Sequence, residues 1–230
     1  MNPQIPLFEP QFPLEKIVKW VGKHWAGFLQ PEFESPYMLK LFELIREDKK
    51  TNVVVPEFLD VFKLYRLLPP KKVKVVILSQ SPYPSKQADG IAFSAKYGRP
   101  LSLRRIQKSL QTEKTDLQYL VEQGVWLQNT ILTANTKNSL AHQNWGWERF
   151  VFRTLQIISD LNRYLVWITL GSEASKLIKK LPKPSHQVFK VSHPVSKKSS
   201  DDWSFKTELE KANEYLRKYG EKEIQWSGLS

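Results

Sequence analysis

Four short runs rich in β-branched residues, separated by longer amphipathic segments, constrain the fold of this chain most strongly. The runs cover residues 73–78, 124–132, 164–170 and 187–192. Apolar residues at helical spacing predict helices between and after these runs, over residues 103–110, 148–160, 172–181 and 205–219. Strands that alternate with helices favour a mostly parallel sheet with helices on both faces. The sequence therefore predicts an α/β fold with a central four-stranded, mostly parallel sheet flanked by helices.

The domain organisation follows from length and from the amino-terminal pattern. A chain of 230 residues buries a sizeable core without disulfides or metals, so we expect a single domain over residues 1–230. Residues 14–29 and 37–45 show helical spacing and are separated by prolines. We therefore predict a mainly helical part over residues 1–69 that packs on an α/β core over residues 70–226.

The residue types exclude several kinds of chemistry. The sequence has no cysteine, which rules out disulfides, thiol nucleophiles and Cys-ligated metals. The four histidines, His24, His142, His186 and His193, lack the spacing of a metal-binding motif. No apolar run is long enough to span a membrane, and the amino terminus lacks a signal-peptide pattern. We expect a cytosolic monomer that uses no cofactor and no metal and does not contact membranes.

The charge of the chain indicates a polyanionic partner. Lys and Arg number 35 against 23 Asp and Glu, for a net charge of +12 spread along the sequence. Basic proteins bind phosphate backbones largely through counterion release, without reading the base sequence. We therefore expect DNA, double- or single-stranded, as the partner, although the charge alone specifies no reaction.

Polar residues follow each predicted strand at its carboxyl end. They are Ser79 to Pro84 after the first run, Asn129 and Thr130 within the second, Gly171 and Ser172 after the third, and Ser192 and His193 after the fourth. Ligands of open parallel sheets bind beyond the carboxyl ends of the strands. These residues are thus predicted to converge on one cleft.

Several motifs, in order and with matching spacing over residues 53–226, resemble those of the family 1 uracil-DNA glycosylases. The water-activating loop of the family, Gly-Gln-Asp-Pro-Tyr-His, is similar to "SQSPYP" at residues 79–84, followed by "QADGIAFSA". The other similar segments are "RPLSLRRI", "GVWLQNTILT", "AHQNWGWERF", "LGSEA", "SHPVSKKS" and "EIQW". The resemblance implies the family's α/β fold and a hydrolase that flips a nucleotide out of DNA and cleaves its N-glycosidic bond.

The resemblance assigns catalytic roles to three residues. His193 would be a neutral electrophile that donates to the base O2 as the base departs, and Gln80 would donate its backbone N–H to the same atom. Ser81 stands where the family has its essential aspartate, which positions water and stabilises the sugar cation. A serine carries no charge and is a poor base near neutral pH. Pro84 replaces a histidine of the family pattern.

Three further residues would bind the flipped base. Asn129 would read the pyrimidine O4 and N3–H, Phe93 would stack on the base, and Tyr83 would stand against C5 and exclude a methyl group. A structural role for Asn129, and purely packing roles for Phe93 and Tyr83, are the alternatives.

The resemblance also predicts contacts with the DNA backbone and minor groove. Ser102, Ser172 and Ser192 would hold phosphates, although N-capping of helices would equally explain the first two. The minor-groove loop shows Val195, Ser196 and Lys197 where the family has Ser, Pro and an apolar wedge. Lys197 and Lys198 would bind phosphate.

Two functions remain open at this point. The chain is either an active glycosylase, for uracil or for a modified cytosine such as hydroxymethylated or glucosylated phage cytosine with an antiviral role, or a non-catalytic module that binds DNA. Such a module would be a damage sensor or replication accessory that keeps the base pocket. The retained Asn129, Phe93, Tyr83 and His193 favour an enzyme, because a scaffold needs no electrophile.

Overall fold

A four-stranded parallel sheet forms the centre of the fold in the computed structural model, which describes residues 12–181, 186–196, 200 and 202–228. The strands are β1 (Val54–Val55), β2 (Val75–Ser79), β3 (Val125–Asn129), β4 (Ala134–Asn135), β5 (Val166–Leu170) and β6 (Gln187–Val191). The main sheet has the order β3-β2-β5-β6, with every neighbouring pair parallel. The short strands β1 and β4 pair antiparallel in a separate two-stranded sheet.

Ten helices cover the part of the chain that the structure describes. They are α1 (Leu14–Val21), α2 (Lys23–Phe33), α3 (Pro36–Asp48), α4 (Phe58–Val61), α5 (Lys63–Leu67), α6 (Leu101–Leu110), α7 (Gln118–Val121), α8 (Trp147–Leu161), α9 (Ser172–Ile178) and α10 (Lys206–Lys218). A single 3-10 turn over Pro70–Lys72 precedes β2. None of these helices is long and apolar enough to cross a membrane.

The burial of the strands explains why they read as continuous apolar runs. Every residue of β2, β3 and β5 is buried, whereas the edge strand β6 is mostly half-buried. Strands with helices on both faces are apolar on both sides, and this produces unbroken β-branched runs rather than alternation. The predicted α/β fold with a four-stranded parallel sheet is confirmed.

The strand and helix boundaries differ from the predicted ones where the chain changes partner. The predicted run 124–132 is a strand only as far as Asn129, because the Thr130 and Ile131 amides bond to the carbonyls of Ser79 and Gln80 at the sheet edge. The predicted helix over residues 14–29 is two helices, α1 and α2. The break falls at Gly22, whose φ of +79° is left-handed and whose backbone lies against Arg66.

One buried cluster joins the amino-terminal helices to the sheet. It contains residues from Ile17 in α1 to Ile224 near the carboxyl end of the chain. At its centre the ring centroids of Trp25 and Tyr65 lie 5.2 Å apart, and each of them lies 5.0 Å from the ring centroid of Trp126 in β3. The Trp25 indole N–H donates to the Leu68 carbonyl at 2.8 Å, so the buried ring is also satisfied as a donor.

Candidate functional site

A cleft of about 900 Å³ opens at the carboxyl ends of the four parallel strands. The structure brings together here the described residues to which the resemblance gives a role: Gln80, Ser81, Tyr83, Phe93, Ser102, Asn129, Ser172, Ser192 and His193. Thr130, which the sequence also predicts to lie in this cleft, does not line it, because its hydroxyl bonds to the Gln80 carbonyl. Lys197 and Lys198 lie outside the described residues. The convergence arises because the strands are parallel, so that their carboxyl ends meet at one edge of the sheet.

Backbone hydrogen bonds tie the loop after β2 to the loop after β3. The Gln80 carbonyl accepts from the Ile131 amide and from the Thr130 hydroxyl, each at 2.9 Å. Pro82 and Pro84 fix their own φ angles and restrict the residues before them, Ser81 and Tyr83. Ser81 and Asn129 are thereby held on the same side of the sheet.

Asn129, the last residue of β3, carries an unusual unpaired atom. The residue is only 8% exposed, and its side-chain Oδ1 is buried without a hydrogen-bond partner among the described residues. Leaving a buried acceptor unpaired costs about 1–3 kcal/mol. A buried amide oxygen that lines a cleft and lacks a protein donor points to a ligand that supplies one.

The two aromatic residues of the cleft are fixed by each other. Phe93 is a buried non-glycine residue with φ +65°, and its ring centroid lies 6.1 Å from that of His193. The Tyr83 hydroxyl donates to the Phe93 carbonyl at 2.9 Å and accepts from the Ser102 hydroxyl at 3.3 Å. Burial raises the pKa of Tyr83 well above its usual value, so the hydroxyl stays protonated and keeps donating.

Asp89 is a residue of this site that the sequence reasoning missed. It is buried, and its Oδ1 accepts from the Ile91 amide at 3.0 Å. Its Oδ2 accepts from the Ser94 hydroxyl at 2.7 Å and pairs with Lys63 Nζ at 3.3 Å. The carboxylate therefore closes the turn on both sides of Phe93, and the Asp-Gly pair in "QADGIAF" is the signal that indicates such a turn.

His193 is held as a neutral hydrogen-bond donor. The Val195 amide donates to His193 Nδ1 at 3.3 Å, which makes Nδ1 an acceptor and places the proton of the neutral ring on Nε2. Burial lowers the pKa of His193 below its ordinary value, so the neutral form persists to lower pH. Arg105 of α6 donates to the Pro194 carbonyl and fixes the chain just after the histidine.

Two of the three serines predicted to contact phosphate, Ser102 and Ser192, have protein partners for their hydroxyls. The N-cap positions of α6 and α9 are Pro100 and Gly171, and neither makes a side-chain cap, so N-capping by Ser102 and Ser172 is wrong. Each serine lies inside its helix, Ser102 at the second position and Ser172 at the first. The Ser192 hydroxyl accepts from the Trp203 indole N–H at 3.0 Å.

A second polar network, away from the cleft, has a structural role. His142 is fully buried; its Nδ1 lies 2.7 Å from the Thr133 hydroxyl and its Nε2 lies 3.0 Å from Asp48 Oδ2. The Trp147 indole N–H also donates to the Thr133 oxygen, at 2.6 Å. Within the described ranges, no three His, Cys, Asp or Glu residues are grouped to hold a metal ion. The histidine is therefore a satisfied core residue.

The overall fold is that of solved uracil-DNA glycosylases. The crystal structure of the mimivirus uracil-DNA glycosylase superposes with a TM-score of 0.81 at 24% identity, over 94% of this chain and 89% of that one. The chain therefore has the uracil-DNA glycosylase fold, in which a four-stranded parallel sheet here carries a cleft at the carboxyl ends of its strands.

Sequence comparison gives the family. The family model described as "Uracil DNA glycosylase superfamily" matches residues 65–217. The uracil-DNA glycosylase of Geobacillus kaustophilus is 33% identical over 88% of this chain and 93% of its own length. Uracil-DNA glycosylase 1 of Listeria monocytogenes is 35% identical over 89% of this chain and 97% of its own length. The chain belongs to the uracil-DNA glycosylase superfamily.

Proposed function

We propose that this protein is a DNA glycosylase that flips uracil out of DNA and hydrolyses its N-glycosidic bond, at a reduced rate. The observation that carries the proposal is the buried, unpaired Oδ1 of Asn129 in the same cleft as a neutral His193. A flipped base is read by hydrogen bonds to its Watson–Crick edge in such a pocket.

The side-chain amide of Asn129 matches the edge of uracil, because its carbonyl oxygen accepts and its NH₂ group donates. The N3–H of uracil supplies the donor that Oδ1 lacks, and the side-chain NH₂ donates to O4. Cytosine has an acceptor at N3 and a donor at N4, so it pairs only when the amide is turned over. A bidentate contact of this kind is worth about 1–3 kcal/mol of discrimination.

His193 stabilises the base as it leaves. When the N1–C1′ bond breaks, the electron pair stays on the base and negative charge develops at O2. A neutral imidazole with its proton on Nε2 donates a hydrogen bond to that oxygen, and the Gln80 backbone N–H adds a second donor. One such donor contributes about 3 kcal/mol to transition-state stabilisation.

The step that suffers is the addition of water at C1′. The water oxygen bonds to the cationic C1′, and the proton of the water passes to the departed uracil anion or to solvent. A nearby carboxylate would both orient the water and stabilise the cation. Ser81 offers a hydroxyl only. The described acids of the cleft are Asp89 and Glu173, and Asp89 already accepts from Ile91 and Ser94 and pairs with Lys63. A lower rate than that of an enzyme with a carboxylate at position 81 follows.

A modified cytosine is the second candidate substrate. The small side chains of Ser79 and Ser81 line the cleft and leave space beside the base position. Tyr83 counts against a C5 substituent, since its hydroxyl is anchored to Phe93 and Ser102 and the ring is not free to withdraw. An antiviral role depends on this second substrate.

The DNA backbone is proposed to lie across the mouth of the cleft. Three serines line the cleft: Ser102, Ser172 and Ser192. Two lysines, Lys197 and Lys198, come shortly after Ser192 in the sequence. The net charge of +12 supports binding through phosphates, and a cysteine-free chain suits a reducing cytosol. We propose that the protein acts as a monomer without cofactor.

The test uses defined oligonucleotides that carry uracil, cytosine, 5-hydroxymethylcytosine or its glucosylated form. Alkali-labile abasic sites are measured for the wild type, Asn129→Ala and Ser139→Ala, the last being a matched control that lines the same cleft. Uracil excision is expected for the wild type and Ser139→Ala. Asn129→Ala is expected to lose discrimination by about 10- to 100-fold while DNA affinity is kept. Binding without excision of any of the four bases would leave the non-catalytic DNA module instead.

A further inference from the structure

A second cleft opens at the opposite edge of the sheet from the catalytic one. It has a volume of about 750 Å³ and is lined by residues that precede the strands, including Lys74 before β2, Gly124 before β3 and Tyr164 before β5. Each of these strands has five residues, so the two clefts are separated by about 16 Å of sheet. We call this the amino-edge cleft.

The amino-edge cleft is the more cationic of the two among the described residues. Five basic residues line it: Lys71, Lys72, Lys74, Arg163 and Lys222. Three acidic residues oppose them, Glu122, Glu221 and Glu223, and the last is paired with Arg217 at 2.7 Å. In the catalytic cleft the described lining has Lys190 against Asp89 and Glu173. Part of the positive charge of the chain is therefore concentrated away from the catalytic edge.

Two aromatic rings stand beside these cations, that of Tyr219 exposed and that of Tyr164 half-buried. The rings of Tyr164 and Tyr219 are stacked, with centroids 4.0 Å apart and an interplanar angle of 8°, and both residues line the cleft. Tyr219 is 38% exposed. Tyr164 adopts a left-handed φ of +58°, which costs a non-glycine residue about 1–2 kcal/mol. This backbone conformation places the Tyr164 ring against the Tyr219 ring in the wall of the cleft.

Gly124 lets the turn before β3 pack closely against Lys72 and Lys74, which holds these two residues at the cleft. Gly124 has φ +99°, and a Cβ at this position would lie 2.7 Å from the Lys72 carbonyl. The Lys74 ammonium is fixed by the Lys222 carbonyl at 3.0 Å, whereas Lys71, Lys72 and Arg163 are exposed. Cations on the rim and aromatic rings in the wall are the combination that binds single-stranded nucleic acid, through phosphates and base stacking.

We propose that the amino-edge cleft is a second DNA site, which holds a single strand independently of the catalytic cleft. The lysines and Arg163 contact phosphates, and the Tyr164–Tyr219 pair offers a stacking surface for a base. Because the two sites lie on opposite edges of one sheet, a protein molecule carries two DNA segments at once. This would retain the protein on DNA while a base is examined at the other edge.

The stoichiometry of a uracil-free oligonucleotide tests the proposal without any glycosylase activity. Native mass spectrometry with a ten-residue thymidine oligonucleotide at low salt is expected to show two strands bound per wild-type protein. The variant Lys71→Glu/Lys72→Glu/Arg163→Glu is expected to bind one. The control Lys19→Glu/Lys23→Glu/Lys40→Glu changes the charge equally at exposed positions that line neither cleft, and it should still bind two.

Two further measurements separate this site from general electrostatics. Tyr219→Ala, which keeps the charge, is expected to weaken the second binding event about tenfold through lost stacking. Removing three phosphate contacts should lower the salt slope of log K by about 2. One strand per wild-type protein, or equal losses in both triple variants, would overturn the proposal. If the triple glutamate variant of the amino-edge cleft melts at a lower temperature than the wild type, the measurement is repeated with Lys71→Gln/Lys72→Gln/Arg163→Gln. This variant removes the three positive charges without adding negative ones.

Discussion

Gly171 lies directly against His193: a Cβ atom at position 171 would come within 3.2 Å of the His193 Cβ. Gly171 also has φ +104°, which L side chains rarely adopt. Its amide donates to the Val191 carbonyl at 2.9 Å, which ties the turn after β5 to the end of β6. The glycine is thus required both for the turn and for the placement of the histidine.

Replacing Gly171 by alanine is expected to displace His193 and thereby to lower the rate of uracil excision. A separate loss in the free energy of unfolding is expected from the backbone. The Cβ contact displaces His193 by a few tenths of an ångström. Since a misplacement of about 1 Å costs roughly 10²-fold in rate, we expect a smaller loss, of roughly several-fold. The left-handed backbone adds a stability loss of about 1–2 kcal/mol. Single-turnover excision of uracil and urea unfolding measure the two effects.

Gly27→Ala is the matched control for this substitution. Gly27 lies within α2, and a Cβ there meets nothing within 4 Å. Alanine at that helical position should stabilise the protein by about 0.5–1 kcal/mol and leave excision unchanged. Equal excision rates in Gly171→Ala and Gly27→Ala would contradict the role given to Gly171.

The pH dependence of excision should report the neutral form of His193. Burial lowers the pKa of this histidine below its ordinary value of about 6.5. A reaction that needs the neutral ring keeps its rate at pH 7 and loses it as the pH falls through the lowered pKa. The pH–rate profile should therefore be level above pH ~6.5 and decline only on the acid side. In His193→Asn, whose side chain does not titrate, the residual activity should lack this acid limb; an unchanged limb would point to another group.

Ser81→Asp is expected to raise uracil excision if the serine is a lost catalytic group. The added carboxylate orients water and stabilises the sugar cation, and base catalysis of this kind contributes about 10²–10⁴-fold. Abasic-site formation on the uracil oligonucleotide measures the gain. Ser81→Asn, similar in size but uncharged, is the control and should give no such gain.

A different result is expected if the cleft is shaped for a modified cytosine. Ser81→Asp then leaves uracil excision poor and depresses excision of the modified base, because it adds volume and charge beside the substrate. The same four oligonucleotides distinguish the two outcomes.

Asp89 is expected to act as a positioning residue for Phe93. Asp89→Asn keeps an acceptor for the Ile91 amide but removes the charge that pairs with Lys63, 3.3 Å away. We expect excision to weaken mainly through KM, since the stacking ring loses its support. The double variant with Lys63→Met should show a coupling of about 0.5–3 kcal/mol in unfolding free energy, as expected for residues in contact.

Ser94→Ala separates the two functions of this contact. It removes the 2.7 Å hydrogen bond to Asp89 and the acceptor of the Leu117 amide, 3.2 Å away, and it leaves the ion pair in place. A rise in KM with a normal melting temperature supports positioning. An unchanged KM would contradict the positioning role, whatever the change in stability, because the Leu117 amide also loses its acceptor in this variant.

The cleft could be predicted from the sequence because its residues are local to strand ends. Asn129, Gly171 and His193 each follow or end an apolar run, and parallel strands place such residues at one edge. The end of β3 could not be predicted from the pattern, since Thr130 and Ile131 continue the β-branched run while their amides bond to Ser79 at the end of β2 and to Gln80 in the loop after it. Hydrophobic periodicity depends on the side chains alone, so it carries no information on which carbonyl a backbone amide bonds to.

The sequence by itself determined the α/β class, the edge of the sheet that carries the site and the residue types present there. Tertiary structure alone decided which of those atoms are satisfied. The burial of Asn129 Oδ1, the pairing of Asp89 with Lys63, 26 residues away in the chain, and the contact of Gly171 with His193 all depend on distant segments. The physical reason is that burial and hydrogen-bond partners are set by long-range packing, whereas strand and helix patterns arise from neighbouring residues.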